Sequence, residues 1–255
     1  MSRQKKILNQ LLSSSKSNEP LKSCGRLSRI FISDGSIELL KWIGLVSMTI
    51  DHINKYIFNG SSELAFDIGR LAMPIFGFVL AYNLARRRVD HDAIYKRVAV
   101  RLLIFGVLAL PPFVLLGGLI NQIYPLNILF MLLTATAVCY LIERGHKLGA
   151  LAVFLIGGAL VEFWWPAVGF CVAIWLYLRH DSLASLFLAI CCCACLYFIN
   201  NNAWALAALP LIALATRFDF SLQRLRWFFY AFYPLHLLIL YLVRIPLRNL
   251  GFLFF

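Results

Sequence analysis

The sequence predicts an all-α, polytopic integral membrane bundle of about nine transmembrane helices, with its N-terminus in the cytoplasm. Three observations predict it. The first is composition: of 255 residues, 61% are hydrophobic and only 14% are charged, against about 45–50% and about 25% in soluble domains. The second is continuity: beyond a polar head the apolar residues run unbroken, without the alternating segments of roughly ten residues that mark a membrane barrel. The third is the net charge of +12, which collects in every second loop. These features exclude a soluble globular enzyme, a disordered chain and a nucleic-acid-binding module. The seven cysteines sit mostly inside apolar runs, which excludes a secreted disulfide scaffold.

The head, 1–33, holds Arg3, Lys5, Lys6, Lys16, Lys22, Arg26 and Arg29. It lacks the charged, apolar and small-residue order of a signal peptide. We read it as a basic, disordered cytoplasmic tail and 34–255 as the membrane domain. A helix crosses the hydrocarbon core in about 20 residues. Apolar stretches at 37–58, 65–85, 98–119, 124–142, 148–162, 167–178, 183–199, 203–216 and 227–243 are the nine candidate spans.

Loop charge then sets the orientation. With the tail inside, the inner loops carry Arg86, Arg87, Arg88, Lys96 and Arg97, then Arg144 and Lys147, then Arg179, then Arg217, Arg224 and Arg226. The outer loops, 59–64, 120–123, 163–166 and 200–202, carry no Lys or Arg. This is the positive-inside pattern, broken only by Arg244 and Arg248 beyond the last span.

Ionisable groups inside a bilayer are expensive and mark chemistry. The first span holds Lys41, Asp51, His52, Asn54 and Lys55. His52 lies about 22 Å up the helix from Ile37 at the ordinary rise, near the outer leaflet. Arg70 enters the second span at a similar depth, so Asp51, His52 and Arg70 are expected near one another. Asp67 and Arg70, three apart, have the spacing of a helical ion pair. In the last span Tyr233 precedes His236 by three residues, and Pro234 frees a carbonyl as in helices that line cavities. At the inner side Lys41, Arg97, Arg101 and Arg226 form a basic mouth suited to a phosphate-bearing ligand. The bland alternatives are that these cations snorkel to headgroups, that Lys55 is an interfacial anchor and that His236 is an interhelical hydrogen-bonding residue. The Cys191, Cys192, Cys193 and Cys195 run does not suit a metal, because neighbouring residues on a helix point apart; no metal is expected.

A histidine takes a proton from an amine or hydroxyl near neutral pH, and an arginine stabilises a developing oxyanion. This inventory fits acyl transfer from a cytoplasmic thioester, and equally a proton-coupled secondary transporter or an assembly factor without chemistry. Four segments narrow the choice: KWIGLVSMTIDHINKYIF (41–58), IGRLAMPIFGFVLAYNLARR (68–87), LNILFMLLTATA (126–137) and FFYAFYPLHLLIL (228–240). In order and spacing they resemble the TraX family of conjugal-transfer pilin acetylases. The DHIN and GR…P.F motifs are the most specific.

The resemblance implies a bacterial inner-membrane enzyme that acetylates the N-terminal amine of a pilin subunit from acetyl-CoA, related to transmembrane acyltransferases that act on sugars. Carried over by position, we assign His52 as general base, Asp51 as the group that orients or charges it, Arg70 as oxyanion stabiliser and His236 as an assistant in the cavity. Lys41, Arg97 and Arg101 are assigned to the coenzyme A phosphates, and Asn54, Asn127 and Tyr233 to the substrate. Direct transfer and a route through acetyl-histidine both remain open at this point, as do a sugar acceptor and transport.

Overall fold

The structure, a computed structural model, describes residues 32–86, 91–118, 120, 123–215, 217–225 and 227–254. The expected tail therefore lies almost wholly outside the described residues, as do Arg87, Arg88 and Arg226. The last two residues placed with that tail are ordered against the bundle. The Tyr82 hydroxyl accepts from the Ile32 amide at 3.0 Å and donates to the Ile32 carbonyl at 2.9 Å.

Among the described residues the fold is all-helical. It comprises α1 (Asp34–Tyr56), α2 (Glu63–Gly69), α3 (Ala72–Ala85), α4 (His91–Leu115), α5 (Ile128–Glu143), α6 (Lys147–Leu160), α7 (Trp164–His180), α8 (Leu183–Cys195), α9 (Tyr197–Asn200), a 3-10 turn (Trp204–Ala207), α10 (Ala208–Ala215) and α11 (Phe228–Asn249). No strand occurs among them; Leu126 and Val161 form one isolated parallel bridge.

The expectation of nine spans is supported only in part. Among the described residues four segments are long and apolar enough to cross a membrane: Glu63–Ala85, Asp92–Leu115, Leu183–Asn200 and Phe228–Asn249. Ile128–Glu143, Lys147–Leu160 and Trp204–Ala215 are apolar but shorter; at about 1.5 Å per residue none reaches the roughly 30 Å core thickness. The first helix has 23 residues, but Glu38, Lys41, Asp51 and Lys55 interrupt its apolar run. The fifth helix starts only at Ile128 because Asn127 caps it, its side-chain oxygen accepting from the Leu129 amide at 3.1 Å.

The site rests on α1. Ser33 caps it by accepting from the Ser36 amide at 3.1 Å, and Asp34 meets the positive end of the helix dipole. Ile37, Leu40, Gly44, Met48 and Asp51 are buried. Their spacing of three and four puts them on one face. His52 is then turned about 100° from that face.

The predicted second span is two helices, α2 and α3, broken at Arg70. Pro74 has no N–H for the Arg70 carbonyl, and its ring crowds that carbonyl. The chain crosses the break with shorter-range bonds, from the Arg70 amide to the Asp67 carbonyl at 3.1 Å and from the Leu71 amide to Ile68 at 3.2 Å.

The centre of the bundle is α3 against α7, which bury Ile75, Leu84, Phe170 and Trp175. Small residues permit the approach: a Cβ on Gly77 would stand 2.9 Å from the Cys171 sulfur, and one on Gly169 2.9 Å from that of Cys192. Cys193 is buried and donates to the Ala205 carbonyl at 3.5 Å. These cysteines are packing residues.

Contacts along the helices fix their directions. Asp34 pairs with Arg86 at one end and Asp51 with Arg70 toward the other, so α1 and α3 are antiparallel. Trp42 meets Phe228 and Phe229 with ring centroids 5.3 and 5.5 Å apart, and His52 meets His236, so α11 runs parallel to α1. The Asp92–Arg144 and Glu143–Arg179 pairs join the end where α1 and α4 begin.

Candidate active site

His52 and His236 are the centre of the site. His236 Nε2 lies 2.7 Å from His52 Nδ1, and the rings stack with centroids 4.9 Å apart and planes 11° from parallel. His236 Nδ1 lies 3.0 Å from the Phe232 carbonyl oxygen. A carbonyl oxygen only accepts, so that nitrogen carries the hydrogen. In a neutral pair His236 Nε2 is then the acceptor, and His52 Nδ1–H donates to it. The remaining ring nitrogen, His52 Nε2, keeps its lone pair, and His52 lines a cavity. Phe232 supports the relay from the other side, its ring stacked on His236 at 5.1 Å.

Arg70 forms the second centre. Its guanidinium donates to Asp51 through Nη2, to the Asn200 side-chain oxygen through Nη1 at 3.2 Å and to the Phe66 carbonyl through Nε at 3.2 Å. It also lies over the Phe66 ring, 4.1 Å from the centroid. One N–H on each Nη is left over. Gly69 makes this packing feasible: a Cβ there would stand 2.3 Å from Asp51 Cβ. The ion pair expected between Asp67 and Arg70 is not formed. Asp67 accepts from Asn202 at 2.9 Å instead, because the break in the helix swings Arg70 toward α1.

Two cavities meet here, named outer and inner after the orientation expected from the sequence. The outer one, about 550 Å³, is lined by Asp51, His52, Lys55, Arg70, Glu162 and Tyr233 among others. The inner one, about 230 Å³, is lined by Lys41, Asn83, Arg97, Arg101, Arg224 and Tyr230 with apolar neighbours. Met48, Ile128 and Tyr233 belong to both walls. Lys41 donates to Glu38 at 2.6 Å. Arg101 stacks on Trp227, 4.2 Å from the ring centroid.

The predicted residues thus fall into groups. His52, Asp51, Arg70, Asn54 and Tyr233 line the outer cavity, and Lys41, Arg97 and Arg101 the inner one. His236 stands behind His52. Three assignments change. Asp51 partners Arg70, so it is His236 that holds His52. Asn54 has both ends of its amide engaged by the Ser62 backbone, accepting at 2.9 Å and donating at 2.9 Å, so it clamps the turn between α1 and α2. Asn127, fully buried, caps α5 and donates to the Gly106 carbonyl at 3.1 Å; it tethers α5 to α4 and lines neither cavity. Lys55, read as an anchor, faces the outer cavity and lies 5.0 Å from the Tyr56 ring centroid.

Sequence reasoning passed over Asn200 and Glu162 and named Arg224 only as an inner-loop cation. Glu162 sits in the turn between α6 and α7, followed by Phe163 and Trp164 at φ of +61° and +47°. Left-handed backbone at two aromatic residues costs on the order of 1–3 kcal/mol each and concentrates at functional sites. Both aromatics line the outer cavity with Glu162.

Residues 36–244 match the family model described as TraX protein. The chain is 31% identical over 228 residues to Protein TraX of Escherichia coli, an alignment covering 82% of this chain and 87% of that protein. It is 30% identical over 146 residues to an uncharacterized protein of Rickettsia prowazekii (strain Madrid E), covering 57% of this chain and 47% of that one. No solved structure matches. A match that begins within α1 and ends within α11, enclosing both cavities and the paired imidazoles, shows that the chain belongs to the TraX family.

Proposed function

We propose that the protein is an acetyltransferase of the bacterial inner membrane that moves an acetyl group from acetyl-CoA to the N-terminal amine of a conjugative pilin subunit. The observation that carries this reading is the pair of cavities with a shared wall, one basic, the other lined by an imidazole whose partner leaves Nε2 as an acceptor.

The inner cavity suits the donor. Among the described residues Arg97, Arg101 and Arg224 have no carboxylate partner, and Val79, Leu80, Val98 and Leu129 complete the wall. Cations over an apolar slot fit phosphates at the rim and a thioester arm inside. Lys41 and His52 are eleven residues apart on α1, about 16 Å at the helical rise. An extended pantetheine arm spans that separation and brings the thioester to Tyr233 and Met48.

The transfer balances without further reagents. The acceptor nitrogen attacks the thioester carbonyl carbon as His52 Nε2 takes its proton. Arg70 N–H groups stabilise the oxyanion, held in place by Asp51 and Asn200. Collapse breaks the carbon–sulfur bond, and the proton on His52 passes to the departing thiolate. His236 positions the base.

Purified protein in proteoliposomes, given acetyl-CoA and a peptide with the pilin N-terminus, tests the reading. The expected product carries one acetyl group on its α-nitrogen by mass spectrometry, and His52→Ala abolishes it at unchanged expression. Acetylation of a sugar but not the peptide would leave the chemistry and replace the acceptor. Uptake or exchange of a solute without any acetyl product would replace enzyme with transporter.

A further inference from the structure

The outer cavity holds a carboxylate that the transfer just described does not use. Glu162 forms no ion pair among the described residues, whereas Asp51, the other acid on that wall, is committed to Arg70. The backbone of Glu162 is fixed on both sides. Its amide donates to the Leu126 carbonyl at 2.8 Å, and the Leu126 amide donates to Leu160 at 2.9 Å. The two left-handed residues that follow turn the chain sharply into α7. The groups that face the carboxylate are Lys55 and Arg70, the Asp51 carboxylate, the Tyr56 and Tyr233 hydroxyls and the Ile128 amide at the start of α5. Arg70 is already neutralised; Lys55, which lies over the Tyr56 ring, is the leading charge acting on Glu162 but forms no ion pair with it.

Amine acetylation has a proton count that one base does not meet. A peptide N-terminus has an α-amino pKa of about 7.7–8.0, so it arrives largely as R–NH3+. One proton must leave before nitrogen has a lone pair; a second leaves as the carbon–nitrogen bond forms. His52 takes the second and returns it to the thiolate. Resting on the acetyl-transfer reading above, we propose that Glu162 binds the acceptor's ammonium and takes its first proton, making the site selective for amines over hydroxyl acceptors. That proton passes to water at the cavity mouth, so each turnover converts ammonium and thioester into amide, thiol and one released proton. A hydroxyl acceptor has no first proton to lose and gains nothing from Glu162.

Glu162→Gln keeps the shape and removes both charge and basicity; Glu162→Asp keeps the basicity. Acetylation of a free-amine peptide by proteoliposomes is measured from about pH 6 to about pH 10, bracketing the α-amino pKa, with thermal unfolding of each variant alongside. The expected result is that E162Q loses kcat/KM about tenfold for each pH unit below the amine pKa. Above that pKa it returns to within about twofold of the parent. E162D restores activity at neutral pH. An E162Q profile that overlays the parent overturns the assignment and leaves acetyl transfer standing. A uniform loss that high pH does not recover makes Glu162 structural and also overturns it. An unsubstituted protein that acetylates no amine at any pH overturns both the assignment and the acetyl-transfer reading beneath it.

Discussion

In the proposed mechanism His236 does no chemistry on substrate, and its removal tests the geometry most directly. In His236→Ala the Nδ1–H of His52 loses its acceptor at 2.7 Å. His236 is buried, with 5% of its surface exposed, so water does not replace it freely. A buried donor left unsatisfied costs about 1–3 kcal/mol. That penalty falls on the tautomer with Nε2 available, since the other tautomer has no hydrogen on Nδ1. At about 1.4 kcal/mol per factor of ten, the productive form is depleted roughly 5- to 150-fold. We expect kcat for acetyl transfer to drop by that factor while the KM for acetyl-CoA, set in the other cavity, holds. His236→Gln places a carbonyl where it can accept from Nδ1 and regains most of the loss. Single-turnover acetylation with labelled acetyl-CoA reads both. A kcat for H236A within twofold of the parent refutes the relay, as does an H236Q no better than H236A when both variants melt like the parent.

Other perturbations separate scaffold from chemistry. Arg97→Ala should raise the KM for acetyl-CoA several-fold with kcat unchanged; steady-state kinetics with an unchanged KM would leave Arg97 as a headgroup anchor. Gly69→Ala puts a Cβ 2.3 Å from that of Asp51, and overpacking of this kind costs about 1–3 kcal/mol; a lowered unfolding temperature in detergent is the expected readout. Asp51→Ala and Arg70→Ala each strip a largely buried partner, so their double variant should be less destabilised than the sum by about 0.5–3 kcal/mol in a denaturation cycle. Met48→Trp fills the shared wall and should abolish acetylation while donor still binds, measured by equilibrium binding of labelled coenzyme A.

Much of this site was readable from the chain. His52, Asp51 and Arg70 were drawn together by depth in the membrane, and the inner cations by their place at helix starts. Depth says nothing about azimuth, however. Helical spacing suggested Asp67 for Arg70, and only the break enforced by Pro74 turns the guanidinium to Asp51. The family resemblance led to Asp51 as the group that orients or charges His52, but neighbours on a helix point about 100° apart, and the imidazole instead meets a ring 184 residues away in sequence. Glu162 was invisible because one carboxylate closing an apolar run looks like an ordinary helix boundary; its significance lies in the Leu126 bridge and the left-handed turn. Fewer spans than the nine expected are supported by helix length, because apolar stretches in the sequence do not reveal where caps and breaks shorten a helix, as Asn127 does at the start of α5.

The partition made by Met48, Ile128 and Tyr233 has an electrical consequence. A crevice open from end to end, with Lys41, Arg97, Arg101 and Arg224 in one chamber and Asp51, Lys55, Arg70 and Glu162 in the other, would conduct ions if it crossed a membrane. On the proposed reading, the wall shared by Met48, Ile128 and Tyr233 keeps the two cavities from merging into one continuous aqueous path. On the acetyl-transfer reading, what passes this wall in turnover is an uncharged two-carbon fragment, so material changes sides without a current.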